Sequence, residues 1–206
     1  MLSRLFHFIK GPNPLQPSIW KGRLRPLTFR RFAPQDASQC LELCRLNQPG
    51  RFPANTAKLY EEAMAGQSLY QLVVEKEGRI IATASLSNLV SKRSAVFSYG
   101  LIHPDYQGQG LGTAMTLVRL AKLDPTVPLC LVFIFAVRDS ITFYRRMGFR
   151  QFSPWSDESG GTHPSGLLRF GSREILQCRA LLQDHDIEWP QDDGDLPSIE
   201  APKTPQ

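Results

Sequence analysis

The stretch His103-Pro104-Asp105-Tyr106-Gln107-Gly108-Gln109-Gly110-Leu111-Gly112-Thr113 lies between an apolar run that ends at Ile102 and a segment whose apolar residues recur at helical spacing. Its three glycines let the backbone come close to a ligand. The amides that open the following helix lack intrahelical partners and carry the positive end of its dipole, an arrangement suited to a phosphate group. Two other phosphate motifs are excluded: Thr113 stands where the dinucleotide fingerprint requires its third glycine, and no Gly-Lys-Ser or Gly-Lys-Thr occurs for a P-loop. Taken alone, a glycine-rich strand-to-helix turn is also compatible with backbone geometry and nothing more.

Downstream of the turn, Leu111, Ala114, Met115, Val118 and Ala121 mark one apolar helix face, and Pro125 and Pro128 stop that helix. Leu129 to Ala136 is apolar throughout and predicts a central strand covered on both sides. Asp139 is placed to cap a helix carrying Ile141, Phe143, Tyr144 and Met147, which Gly148 ends. Strands over Phe149–Ser153 and Leu167–Phe170 follow, and Ser172 is expected to cap a last helix. Upstream, Leu27–Phe32 predicts a first strand, and Pro34 opens a helix with Ala37, Cys40, Leu41 and Cys44 on one face. A second helix is expected over Thr56–Ala65. Leu69–Glu75 and Arg79–Leu86 form a hairpin around Lys76-Glu77-Gly78, and Ala95–Ile102 leads into the turn. The class is mixed α/β, with a central, mostly antiparallel mixed sheet of about six or seven strands flanked by helices.

Length and composition fit one folded domain with extensions: 206 residues, 42% hydrophobic and 21% charged. No apolar run is long enough to span a bilayer, so a cytoplasmic protein is expected. The four cysteines show no metal or redox spacing, which predicts reduced thiols and no metal. The net charge of +5 by itself selects no partner; anionic coenzymes suit it as well as nucleic acid, which is the less favoured partner. No acidic residue precedes Asp36, and Leu2, Leu5, Phe6 and Ile9 share a face opposite Arg4, His7 and Lys10. A docking helix, a membrane-surface helix and an organelle transit peptide all remain open for that segment, whereas its interrupted apolar stretch argues against a secretory signal. The organisation read from the chain is a basic extension over 1–26, a domain over 27–170, a helix over 171–183 and an acidic disordered tail over 184–206.

Gln107, Gly110 and Gly112 match the Gln/Arg-x-x-Gly-x-Gly/Ala signature, and Phe143-Tyr144-Arg145-Arg146-Met147-Gly148-Phe149 resembles the second hallmark, of the GNAT superfamily of acyl-CoA-dependent N-acyltransferases. The order of elements from Leu27 to Phe170 resembles that fold as well. The resemblance implies an acetyltransferase that moves an acetyl group from acetyl-CoA, its co-substrate, to a primary amine by direct attack in a ternary complex. It implies that the amides of Gln107, Gly108, Gln109, Gly110, Leu111, Gly112 and Thr113 cradle the pyrophosphate, and that Ile102 pairs its backbone with the pantetheine arm like an added strand. Tyr144 is then the catalytic acid that protonates the departing thiolate, a task within reach of a phenol with an ordinary pKa of about 10. The alternative for Tyr144 is a packing aromatic.

Two departures from the family pattern stand out. The strand Ser94–Ile102 holds no carboxylate where many members carry a Glu base, so a water relay is the default acceptor of the amine's proton. His103, Glu75, Tyr99, Asp157, Glu158 and His163 are the other candidates. Val137 and Ser140 stand where the family often places Asn and Ala, which predicts the loss of one contact to the pantetheine arm. The loops 47–55 and 153–165, with Phe52, Trp155 and His163, are the candidate acceptor site, and the acceptor itself is not legible. The missing carboxylate also keeps open a catalytically weak acyl-CoA-binding regulator. A purely nucleic-acid-binding module is the remoter alternative, and either a monomer or a homodimer is compatible with the sequence.

Overall fold

Short β-rich segments separated by amphipathic helices build one sheet with helices on both faces. The computed structural model describes residues 26–48, 52, 55–89, 91–156, 162–191 and 194–199. Strand β1 (Leu27–Arg31) is followed by α1 (Ala37–Asn47), α2 (Thr56–Ala65), β2 (Tyr70–Lys76), β3 (Arg79–Leu89) and β4 (Ser91–Ile102). Then come α3 (Leu111–Ala121), β5 (Leu129–Phe135), α4 (Ile141–Arg146), β6 (Arg150–Ser156), β7 (Thr162–Gly171) and α5 (Ser172–Asp184). Two short strands, β8 (Ile187–Glu188) and β9 (Ser198–Ile199), close the described chain. The sheet runs β6-β7-β5-β4-β3-β2-β1-β8, with β9 added to the end of β3. Pairing is antiparallel except for β4 with β5, β1 with β8 and β3 with β9.

Helix α1 packs over β3 and β4, whereas α3 lies over the same strands with α5 against it. That sandwich explains why α3 is buried on nearly all sides from Thr113 to Ala121, beyond the single apolar face that its sequence shows. Its polar Thr116 satisfies its hydroxyl internally by donating to the Gly112 carbonyl at 2.9 Å. Asn47 ends α1, and its buried amide donates to the Leu43 carbonyl at 2.9 Å.

Four sequence expectations need correction. β5 is central but not covered on both faces: Cys130, Val132 and Ile134 are buried, while Leu129 and Phe135 are 48% and 44% exposed. α4 starts at Ile141, after Ser140, instead of from an Asp139 cap, because a 3-10 turn over Arg138–Ser140 intervenes. The N-cap of α5 is Gly171, whose amide donates to Glu174 at 3.1 Å, while the Ser172 hydroxyl donates to the Val127 carbonyl. Finally, part of the segment read as an acidic disordered tail lies in the sheet. Ile187 pairs with Leu27, Ile199 pairs with Leu89, and Trp189 is 9% exposed with Arg179 over its ring. A few apolar side chains among the acidic ones suffice to dock it, and they supply the two strands beyond the expected six or seven. The N-terminal basic segment falls outside the described residues.

Candidate active site

β4 and β5 run parallel, side by side, only from the pair Ser94–Leu131 to the pair Phe97–Ile134. Beyond Phe97 the two strands no longer pair, and the remaining half of β4, to Ile102, has an unpaired edge on that side, the cleft. A bulge turns β4 at this point: Tyr99 has φ of 44°, a left-handed conformation that a bulky residue adopts only under constraint. The constraint is a chain of hydrogen bonds. Gln71 Nε2 donates to Tyr60 Oη at 2.6 Å, Tyr60 lies 3.0 Å from Thr83 Oγ1, and Thr83 donates to the Tyr99 carbonyl at 2.9 Å. Because Thr83 spends its proton on Tyr99, the Tyr60 hydroxyl must donate to Thr83. The rings of Tyr60 and Tyr99 stack at 4.3 Å. Burial raises both phenols, Tyr99 to about 12, which leaves Tyr99 protonated and poorly suited as a base at neutral pH.

Past the bulge, His103 N donates to the Ile81 carbonyl at 2.9 Å, which fixes the alternation of the antiparallel ladder. Ile102, opposite Ala82, therefore holds the non-hydrogen-bonded position, and its N–H and C=O point away from β3 toward the cleft. Its carbonyl is already engaged by the side-chain amides of Asn47 at 3.0 Å and Gln107 at 3.1 Å, and Gln107 also donates to Asn47 Oδ1 at 3.2 Å. Asn47 thus ties α1 to the mouth of the turn, a role the sequence reading missed because it assigned that residue to a loop.

The turn itself meets the geometric demands of an anion cradle. After a 3-10 turn over Pro104–Tyr106, Gly108 has φ of 71° and Gly110, the N-cap of α3, has φ of 94°. Both are left-handed values that favour glycine. The first helical bond is Ala114 N to Gly110 O at 3.1 Å, so the amides of Leu111, Gly112 and Thr113 precede the ladder. No side chain caps that end. Gln109 Nε2 donates to the Asp105 carbonyl at 2.8 Å and braces the loop. Gly112 serves packing: a Cβ there would stand 3.4 Å from the Phe143 ring and 3.7 Å from Ile102 Cδ1, so α3, α4 and β4 meet at this glycine.

Tyr144 is half-buried beside the same junction, its ring edge-on to Phe143 at 5.1 Å and to Phe149 at 5.4 Å. The turn, Ile102 and Tyr144 are thereby brought to one end of the parallel strand pair, the end at which α/β sheets hold ligands. The other candidates are engaged elsewhere or lie outside the description. His103 Nδ1 accepts from Asp105 N at 3.3 Å and its Nε2 lies 3.3 Å from Arg79 on β3, which places the ring on the side of β4 away from β5. Glu75 is ion-paired with Arg30 at 2.7 Å. Phe52 packs against the core beneath α1 and α2. Asp157 and Glu158 fall outside the described residues, as do the side chains of Trp155 and His163. In the Val137–Ser140 departure, Ser140 Oγ donates to the Val137 carbonyl at 2.8 Å and closes the turn before α4. All four cysteines are free and buried, and burial pushes Cys40 up to about 12 and Cys130 to about 11, so these thiols are inert. Among the described residues no cluster has the make-up of a metal site, and no helix is long and apolar enough to cross a membrane.

Residues 67–151, which span the hairpin, the turn and Tyr144, match the family model of the acetyltransferase (GNAT) domain. The fold is similar to that of a GNAT family acetyltransferase from Brucella melitensis in complex with acetyl-CoA, at 20% identity over 72% of this chain and 90% of that one (TM-score 0.55). It is similar also to the ribosomal-protein-S18-alanine N-acetyltransferase of Escherichia coli, at 18% identity over 70% and 93% of the two chains (TM-score 0.52). The PaiA N-acetyltransferase of Thermoplasma acidophilum, in complex with coenzyme A, gives 12% identity over 70% and 99% (TM-score 0.52). At such identities the structural likeness is one of fold.

Proposed function

The chain carries an acetyltransferase (GNAT) domain, and from that premise we propose that it moves an acetyl group from acetyl-CoA to a primary amine of a small molecule or a protein, by direct attack in a ternary complex. The observation that carries this reading is the end of pairing between β4 and β5 before a helix start whose amides are uncapped. The pyrophosphate lies on the amides of residues 107–113, where backbone donors and the helix dipole favour it. The pantetheine arm enters the cleft as a short added strand. The Ile102 N–H donates to it, since the Ile102 carbonyl is already taken by Asn47 and Gln107. The thioester then comes to the level of the bulge, within the province of Tyr144.

Attack requires a neutral amine, and an alkylamine with a pKa of about 10.4 is protonated at pH 7. With no carboxylate in β4, and with His103, Glu75 and Tyr99 engaged as described, water carries that proton away. Nitrogen attacks the carbonyl carbon, the carbon–sulfur bond breaks, and Tyr144 supplies a proton to the sulfur. The absence of a carboxylate in β4 also favours a second reading, a regulator that binds acyl-CoA and turns it over poorly.

Calorimetric titration of acetyl-CoA and of free CoA into the protein, followed by a thiol-release assay with amines, tests both readings. Micromolar binding with turnover supports the transferase. Binding without turnover selects the regulator, and the absence of binding by the folded protein excludes both.

A further inference from the structure

Among the described residues, the largest fully buried side chain belongs to a cation. Arg119, in the last turn of α3, is 2% exposed. Its Nε donates to the Met115 carbonyl at 3.2 Å, and its guanidinium carbon stands 4.4 Å from the centre of the Phe97 ring. Its two terminal nitrogens lie 3.6 Å from the point where a Cβ on Gly100 would stand. These neighbours mark the point where pairing ends: Phe97 is the last residue of β4 paired with β5, and Gly100 follows the bulge. Burial disfavours the charge of Arg119, and the group that favours it is Tyr144, through charge and through a side-chain hydrogen bond; among the described residues no carboxylate figures beside it.

A buried cation without a carboxylate is costly, and an apolar side chain of similar length would fill the same space without that cost. A guanidinium does not escape the cost by losing its proton. Its placement makes sense if a negative charge appears beside it during turnover. We infer that Arg119 is a positioning residue for acetyl transfer: it aims the Tyr144 hydroxyl at the leaving sulfur and stabilises the charge left on that oxygen when the proton departs. This rests on the reading of Tyr144 as the acid. The step balances. The electron pair of the carbon–sulfur bond goes to sulfur, sulfur takes the phenolic proton to give the CoA thiol, and the phenolate beside Arg119 regains a proton released by the acylated amine through water.

The test uses Arg119→Met, Arg119→Lys, Tyr144→Phe and the Arg119→Met/Tyr144→Phe double variant of the full chain. Turnover is read as thiol release from acetyl-CoA with a mixed pool of peptides bearing free amino groups. Arg119→Met is expected to melt no lower than the wild type, since it exchanges a buried charge for an apolar chain. Its kcat is expected to fall about 10- to 100-fold with the KM for acetyl-CoA nearly unchanged, and Arg119→Lys is expected to recover part of the rate. In the Tyr144→Phe background the Met substitution should cost less than about threefold more, because the two residues act as a unit.

Full additivity of the two losses would overturn the inference and leave Tyr144 as the acid. So would an Arg119→Met protein that melts far lower yet keeps its rate per folded molecule. A Tyr144→Phe variant as fast as the wild type removes the acid assignment and Arg119's role with it, and a wild type that releases no thiol removes the transfer reading itself.

Discussion

The sheet face beneath α1 and α2 and the cleft where β4 leaves β5 are furnished with the same kinds of side chain, and they use them in opposite ways. Under the helices, the Tyr60 hydroxyl is closed between Gln71 and Thr83, and at the nearby sheet edge Arg30 holds Asp36 through two bonds of 2.7 and 3.0 Å and Glu75 through two of 2.7 and 3.3 Å. In the cleft, Arg119 has a phenol in place of carboxylates, and the amides that start α3 have no cap. Where hydroxyls, amides and charges are bonded to one another inside the protein, as around Tyr60 and Arg30, the residues hold the fold together. At the other end of the comparison the amides that start α3 carry no side-chain cap and a buried cation has a neutral phenol for its partner, and this difference in partners separates the two regions more sharply than residue type does.

The comparison predicts which substitutions touch ligand and which touch stability. The largest effect is expected at the turn. Gly110→Glu places a like charge against the coenzyme phosphates at a backbone φ of 94°, and should weaken acetyl-CoA binding by about 100-fold or more in calorimetry while circular dichroism shows the fold retained. Next, Tyr144→Phe should bind coenzyme as the wild type does and lose about 100-fold in kcat, read under conditions where chemistry limits the rate. A variant with an unchanged kcat would return Tyr144 to the packing role that its contacts with Phe143 and Phe149 also allow.

On the scaffold side, the Arg30 guanidinium and the Ala33 amide hold the Asp36 carboxyl below its ordinary range. A carboxylate whose folded pKa is depressed contributes stability that is present above its unfolded value of about 3.9 and is lost as the pH falls through the lower folded value. Asp36→Asn should therefore cost about 1.5–3 kcal/mol at pH 7 and much less at pH 2, as measured by urea unfolding at the two pH values. The smallest effect belongs to Tyr60→Phe. It strips the hydrogen bonds from Gln71 and Thr83 and should cost about 1–3 kcal/mol, with kcat per folded molecule nearly unchanged. If Tyr60→Phe instead lowered kcat as much as Tyr144→Phe does, the bulge at Tyr99 would belong to the site rather than to the scaffold.

Much of this was legible in the chain, and the reasons are local. Gly108 and Gly110 announce positive φ, the proline pair ends α3, and the alternation of strand and helix patterns places the turn before an amphipathic helix. Arg119 left one faint signal: it falls four residues after Met115, on a stripe otherwise apolar, and a charge at such a position needs an explanation. Nothing in the sequence near Asn47 marks it as the residue that reaches across to Ile102 and Gln107, because its partners are 55 and 60 positions away. The tail was misread for a related reason. Its acidic composition outweighs Ile187, whose value lies in the strand edge contributed by β1, and Trp189, which packs into the core beside it.

The sequence by itself determined the order of elements, the glycine geometry of the turn and the presence of Tyr144 after it, since each depends on backbone preferences and spacings written within a few residues. Tertiary structure alone decided that β4 and β5 no longer pair after Phe97, that the Ile102 carbonyl is taken and its N–H turned away from β3, and that a buried guanidinium lies beside the phenol. Those facts depend on which distant segments share a sheet and on how much water their packing excludes, and the value of a charge or a hydrogen bond is set by that surrounding.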